Sequence, residues 1–388
     1  MQIRHNILKM HILKGVIWFM IAMPIIILFF QEHDLTLTEI MILQAIYSLS
    51  VAVFEIPSGY MADLFGRKYT IVLSTIFSFI GYLVFSFYSG FYAFALAQIL
   101  IGIGGSLMSG SDSALLYDTL LETNNKNAYT KIEGRNYAVG NFSEATAGIL
   151  GGFLAVSSIY LPIYAQTGVL FLSIPISLSL IEPKIYEKNK IDKSLRSVID
   201  ILKFVISEKK KLKWLIIYSS AMGVATLSIA WFTQPFLKEI DIPLFYFGII
   251  WAGLNFASGI TSFNAHLLYK KMNGYNLLIY ISLSLFLSFI LLGLNISIFG
   301  LTIIFIIYFL RGITTPILRN EININTTSNK RATVLSIRSF FIRISFAISA
   351  PILGYITENY SLAETFYIIG IFIGTLLFFS AYKLIRIE

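Results

Sequence analysis

Long stretches of this chain contain no Asp, Glu, Lys or Arg: 15–31, 69–111, 145–181, 214–237, 242–269, 272–310 and 365–382. A helix that crosses a bilayer needs roughly 20 mostly apolar residues, and ionisable groups at its centre are costly. Three of the stretches are long enough for parts of two helices. Each of those has an internal turn, at Ser89-Gly90, Ser157-Ser158 and Asn295-Ile296-Ser297. The pattern predicts transmembrane helices at about 12–30, 38–62, 69–88, 91–120, 130–156, 161–182, 213–237, 244–269, 275–294, 298–321, 332–356 and 363–384. Only 13% of the residues are charged, about half the share in a soluble chain, which is roughly 25%.

The basic residues test this helix count. With both termini in the cytoplasm, one side receives Arg4, Lys9 and Lys14, then Arg67 and Lys68, then Lys126, Lys131 and Arg135. It also receives ten Lys or Arg between Lys184 and Lys213, then Lys270, Lys271, Arg319, Lys330, Arg331, Lys383 and Arg386. That is 25 of 29 basic residues on one face. Only Lys238 falls in an outer loop; Arg311, Arg338 and Arg343 lie within spans. A wrong helix count would scramble the alternation. The net charge of +8 is therefore read as positive-inside bias and not as a nucleic-acid surface. The expected location is the cytoplasmic membrane, multi-pass, with an uncleaved first helix.

The segment 184–212 is the one linker. Leu195, Val198, Ile199, Leu202, Val205 and Ile206 fall at helical spacing, which predicts a short amphipathic helix on the cytoplasmic face.

A shift of 203 positions aligns the chain with itself. Ala147-Gly148-Ile149-Leu150-Gly151 falls on Ala350-Pro351-Ile352-Leu353-Gly354, Arg135 on Arg338, Asp118 on Glu321, and Arg67-Lys68 on Lys270-Lys271. One offset serving three separate places reads as duplication. The expected fold is an all-α membrane protein, twelve transmembrane helices in two six-helix bundles, 1–183 and 213–388.

Between the second and third spans stands Gly59-Tyr60-Met61-Ala62-Asp63-Leu64-Phe65-Gly66-Arg67-Lys68. Gly59 lets two helices approach closely, and Gly66 permits a tight turn. Asp63 places an anion at the end of a helix, and Arg67 can pair with an acid at the end of helix 4, for which Asp118 fits. The segment resembles the signature loop of the major facilitator superfamily, Gly-x-x-x-Asp-x-x-Gly-Arg-Lys, at its usual place. The resemblance covers the whole chain. Glu55-Ile56-Pro57-Ser58, Ala114-Leu115-Leu116-Tyr117-Asp118 and Gly134-Arg135 look like a branch of that family. It implies a twelve-helix fold and transport by alternating access. It also implies that Asp63 faces the N-terminus of helix 11, and that Asp63, Arg67 and Asp118 latch the cytoplasmic side. In the second half His266 stands opposite Asp63, leaving at most a weak latch through Glu321.

Two positions depart from the family's better-marked branches. Proton-coupled members often carry an arginine in helix 4, where this chain has Gln98. Drug-efflux members carry Gly-Pro-x-x-Gly-Gly in helix 5, where this chain has Gly148 in place of the proline. Gly148, Gly151 and Gly152 still form a close-packing face.

The remaining candidates are charges within spans, which are usually functional. Glu55, Asp112 and Glu144 lie in the first half, and Arg311, Arg338 and Arg343 in the second. Glu144, Arg311 and Arg343 are candidates for substrate or proton binding, with Gln98 and Asn141 as polar neighbours; Glu55 and Asp112 lie nearer the cytoplasm and suit gating. An alternative assigns all of them to pairs that close the protein. Cysteine is absent and four histidines are scattered, so no metal or thiol site is expected. No nucleophile–base spacing, Walker motif or channel filter appears. A non-enzymatic monomer without cofactor is expected, whose partners are the lipid bilayer, a small-molecule substrate and protons. Proton-coupled export of a drug or metabolite is favoured over proton-coupled uptake.

Overall fold

The computed structural model describes residues 2–125, 128–183, 210–272, 274–326 and 331–387. The segment 184–209, where most of the amphipathic helix is expected, lies outside the described residues. Among those residues the regular structure is helical: α1 (His5–Ile17), α2 (Ile26–Glu32), α3 (Leu37–Phe65), α4 (Arg67–Phe87), α5 (Phe91–Met108), α6 (Ser111–Glu122), α7 (Tyr129–Ser157), α8 (Leu161–Leu178), α9 (Lys210–Glu239), α10 (Leu244–Lys271), α11 (Tyr275–Leu294), α12 (Ile298–Ile324), α13 (Arg331–Asn359), α14 (Leu362–Ile368) and α15 (Gly374–Ile387). These helices make twelve rods, because α1–α2, α5–α6 and α14–α15 are each one rod with an interruption.

Ten rods are long and apolar enough to cross a membrane by length and composition. The other two fall short for visible reasons. The first rod is divided, and the least charged part of α7 is diluted by Asn141, Glu144 and several small residues.

The chain separates into two compact units. Unit 1 is Met1–Leu35, Ile46–Ile191 and Pro243–Ala252; unit 2 is Thr36–Ala45, Asp192–Ile242 and Gly253–Glu388. Lipid tails are as apolar as leucine, so helices in a membrane associate through close packing and interhelical hydrogen bonds. Unit 1 shows both. Where α4 crosses α5, a Cβ on Gly104 would come within 2.9 Å of the Ser74 carbonyl, and the Ser74 hydroxyl donates to the Gly104 carbonyl at 2.6 Å. Hydroxyl pairs join α4 to α8, Thr75 with Ser177 at 3.1 Å and Ser86 with Thr167 at 2.8 Å. A core of Met10, Leu13, Ile71, Leu115 and Leu180 binds α1, α4, α6 and the tail of α8. In unit 2, a Cβ on Gly312 of α12 would meet the Ser258 carbonyl of α10 at 2.2 Å. Tyr218 of α9 donates to the Leu278 carbonyl of α11 at 3.0 Å.

Two expected single helices are broken. The span expected at 12–30 is α1, an irregular stretch from Trp18, a tight turn at Met23–Ile25, and α2. Pro24 has no N–H to continue a helix. The freed Ile21 N–H donates to Gln166 Oε1 of α8 at 2.6 Å, and Gln166 is buried. The Ile21 carbonyl lies against α7 at Gly151, where a Cβ would stand 2.0 Å away. Irregular backbone survives in lipid only where protein re-satisfies its polar groups. The span expected at 91–120 breaks at Ser109-Gly110, where Gly110 takes a positive φ of 79°.

If Gln166 sustains the break, Gln166→Leu leaves the Ile21 N–H only its 3.1 Å contact with the Phe19 carbonyl, at a cost of roughly 1 kcal/mol. The thermal midpoint of the purified protein should fall by several degrees, whereas Gly168→Ala, with open space around its added Cβ, should leave it unchanged.

Candidate functional site

The loop between α3 and α4 is built by a residue far away in sequence. Gly66 adopts a φ of 102°, a region that side chains rarely enter. Directly behind it, α4 starts with its N–H groups unpaired. The Glu182 carboxylate, just past the end of α8, accepts from Arg67 N at 2.8 Å and from Lys68 N at 2.7 Å. A Cβ on Gly66 would lie 3.0 Å from that carboxyl group. Glycine is therefore required twice here, for the dihedral and for the space. The negative charge also sits at the favourable end of the helix dipole.

With its backbone held in this way, Arg67 reaches across to α6. Its Nη1 lies 2.5 Å from Asp118 Oδ2 and also donates to the Ala114 carbonyl. Asp118 is 7% exposed. A charge-assisted bond in such surroundings is stronger than one at a wet surface. The Lys68 ammonium lies over the Tyr69 ring at 6.0 Å. Gly59 is half-buried on α3. Asp63 falls on the same helix, but its side chain is outside the described residues.

A second ion pair stands where two rods are interrupted. Lys14, in the last turn of α1, lies 3.1 Å from Asp112 Oδ2, in the first turn of α6. The cation sits at a helix C-terminus and the anion at a helix N-terminus, the dipole-favoured ends for each. Asp112 Oδ1 also accepts from Ser113 N at 2.7 Å, and the Ser113 hydroxyl donates to Glu133 at 2.6 Å. The Lys14 ammonium lies 4.8 Å above the Trp18 ring.

The other expected residues are placed as follows. Glu55 on α3 and Glu144 on α7 are half-buried, and Gln98 on α5 is buried. Asn141 on α7 is exposed and donates to the Tyr137 carbonyl of its own helix at 3.1 Å. Gly148 and Gly152 pack against the Pro243–Ala252 segment within unit 1. A Cβ on Gly152 would stand 2.8 Å from the Phe245 carbonyl, and one on Gly248 would stand 2.1 Å from that of Gly148. In unit 2 the Arg311 guanidinium lies over the Tyr308 ring at 5.5 Å, and Arg343 is half-buried on α13.

The duplicated acid has acquired different partners. Glu321, which the 203-residue shift places on Asp118, is buried and accepts from Tyr269 at 2.7 Å and from the Tyr275 hydroxyl. Tyr269 occupies the position that corresponds to Gly66. The second half thus holds its carboxylate with two neutral phenols where the first uses an arginine.

Glu182, Lys14 and Gln166 were not among the sequence candidates. Glu182 had a faint signal, as an acid followed by Pro183 directly after an apolar span. Lys14 read as one more positive-inside charge, and Gln166 as an ordinary polar residue in a helix.

A helical protein with ten rods long and apolar enough to cross a bilayer is a polytopic membrane protein by class. The family model described as Major Facilitator Superfamily matches residues 10–327, and the chain belongs to that family of secondary transporters. It is 25% identical over 364 residues to the MFS-type transporter YxaM of Bacillus subtilis, covering 90% of this chain and 88% of that one. It is 24% identical over 185 residues to the MFS-type transporter MJ1560 of Methanocaldococcus jannaschii, 47% of this chain and 46% of the other. Among solved structures the fold is similar to the nucleoside transporter NupG, with TM-score 0.81, 12% identity and coverage of 97% and 98%. It is also similar to a D-xylose-proton symporter, with TM-score 0.74, 13% identity and coverage of 99% and 97%.

Arg67→Gln and Asp118→Asn should show a coupling energy of roughly 1–3 kcal/mol in a double-mutant cycle read by thermal unfolding. Additive effects would mean the two side chains do not pair. Glu182→Ala should cost about 1 kcal/mol, the usual worth of a helix cap, with membrane insertion intact.

Proposed function

We propose that this protein is a secondary active transporter that moves a small organic solute across the cytoplasmic membrane by alternating access, coupled to protons and working as an exporter. The observation that carries the reading is the α3–α4 loop with its Arg67–Asp118 pair and Glu182 cap. It supports a latch on the cytoplasmic face, to which Asp63 also contributes. A loop serving only positive-inside topology would need its basic residues and nothing more. This loop instead commits a buried carboxylate, a glycine at positive φ and a distant glutamate to one geometry. Both termini are cytoplasmic in this reading, and the bundles are 1–183 and 213–388.

Export is favoured by α7. Its Gly148 and Gly152 pack closely along the Pro243–Ala252 segment, and Gly151 and Gly152 stand where the efflux motif has its glycine pair. Uptake has one observation in its favour, Gly148 at the position where that branch has proline.

Glu144 is the proton carrier in this proposal, being a half-buried carboxyl group midway along α7. Reconstitution with an imposed proton gradient tests it against a panel of solutes. Glu144→Gln should abolish gradient-driven accumulation and retain counterflow of the same solute; full gradient-driven activity would remove Glu144 from the mechanism. Asp63→Asn should slow transport several-fold without loss of insertion. The sign of the gradient that drives accumulation distinguishes export from uptake.

A further inference from the structure

Among the described residues, unit 2 holds an arginine with no carboxylate within ion-pair distance. Arg338 stands about 10 Å along α13 from its first described residue, at 1.5 Å per residue, and is half-buried. Its Nε donates to the Ser219 hydroxyl of α9 at 2.9 Å. Ser219 is 1% exposed and is held in place by close packing one turn further along. There a Cβ on Gly223 would come within 2.5 Å of Ile342. The serine fixes one edge of the guanidinium and leaves its two terminal amino groups side by side, the end-on fork that takes a carboxylate or a phosphate. Among the described residues no carboxylate lies within ion-pair distance of it. Arg319 of α12 adds a repelling positive charge to the burial of Arg338.

The described acids of unit 2 lie elsewhere, Glu39 among them, which accepts from the Thr36 N–H at 2.9 Å. Glu321 accepts from Tyr269 and Tyr275. Glu358 accepts from the Thr38 backbone N–H at 3.1 Å. Glu239 ends α9, twenty residues beyond Ser219, or about 30 Å along the helix, and Asp241 follows it. Glu364 lies in the first turn of α14, past the far end of α13. An arginine held within a membrane bundle by a single neutral hydroxyl is costly unless an anion visits it.

We infer that Arg338, oriented by Ser219 and reinforced by Arg319, binds the anionic group of the solute, a carboxylate or a phosphate. Arg338 is the binding residue and Ser219 a positioning residue. This rests on the transporter reading and adds the substrate class to it.

The test uses the full chain in lipid nanodiscs at constant ionic strength. Thermal midpoints are followed against benzoate, glycerol 3-phosphate and inorganic phosphate, with benzamide and benzylamine as neutral and cationic controls. At least one anion should raise the midpoint and the controls should not. Arg338→Gln should weaken the effective anion tenfold or more, Arg338→Lys at least threefold, and Ser219→Ala threefold or more. No stabilisation by any anion, or equal stabilisation of wild type and variants, would overturn the assignment. If Arg338→Gln does not fold, the lysine and alanine variants decide by the same thresholds. Proteoliposome flux separates the two readings. Transport of a neutral or cationic solute that Arg338→Lys leaves unchanged would defeat the anion site and spare the transporter. A panel in which nothing moves would defeat the transporter reading itself.

Discussion

The constraint on which this structure rests is that backbone polar groups inside a lipid layer must find partners within the protein. It forces the chain into rods, and it makes each interruption of a rod dependent on a particular neighbour. At the break after α1, the Ile21 N–H is taken by Gln166, and the Ile21 carbonyl is accommodated by the bare backbone of Gly151. At the start of α4, the unpaired N–H groups are taken by Glu182. In both places a polar side chain from another helix or its tail completes a backbone that could not stand alone.

Electrostatics follow the same geometry. The ion pairs of unit 1 sit at helix ends. Lys14 and Asp112 occupy the end of α1 and the start of α6, and Arg67 leaves the first turn of α4 to reach Asp118. Charges at these places draw on helix dipoles as well as on each other, which offsets the cost of removing them from water. Unit 2 is organised differently. Its equivalent acid is held by phenols, and Arg338 is held by a hydroxyl. The acids that the 203-residue shift aligns therefore differ in the charge of their partners.

Much of this was legible in the sequence because it follows from local composition. Charge-free stretches of about 20 residues mark rods, and basic residues mark their connections. Gly66-Arg67-Lys68 announced a tight turn and a cation, and Asp118 followed as a partner of suitable sign at the end of the fourth rod. The broken rods were not legible. Trp18 to Ile25 is as apolar as an intact helix, and a single proline there is compatible with a kink as well as with a break.

By itself, then, the sequence determined the class, the rods and the loop from Gly59 to Lys68, since each depends on residues near one another in the chain. Tertiary structure alone decided that Glu182 caps α4, that Lys14 meets Asp112, that Gln166 sustains the break in the first rod, and that Arg338 rests on Ser219. These pairs are separated by roughly 100 residues or more. Which polar group reaches which is set by how helices pack, and packing is a property of facing surfaces that no local pattern records.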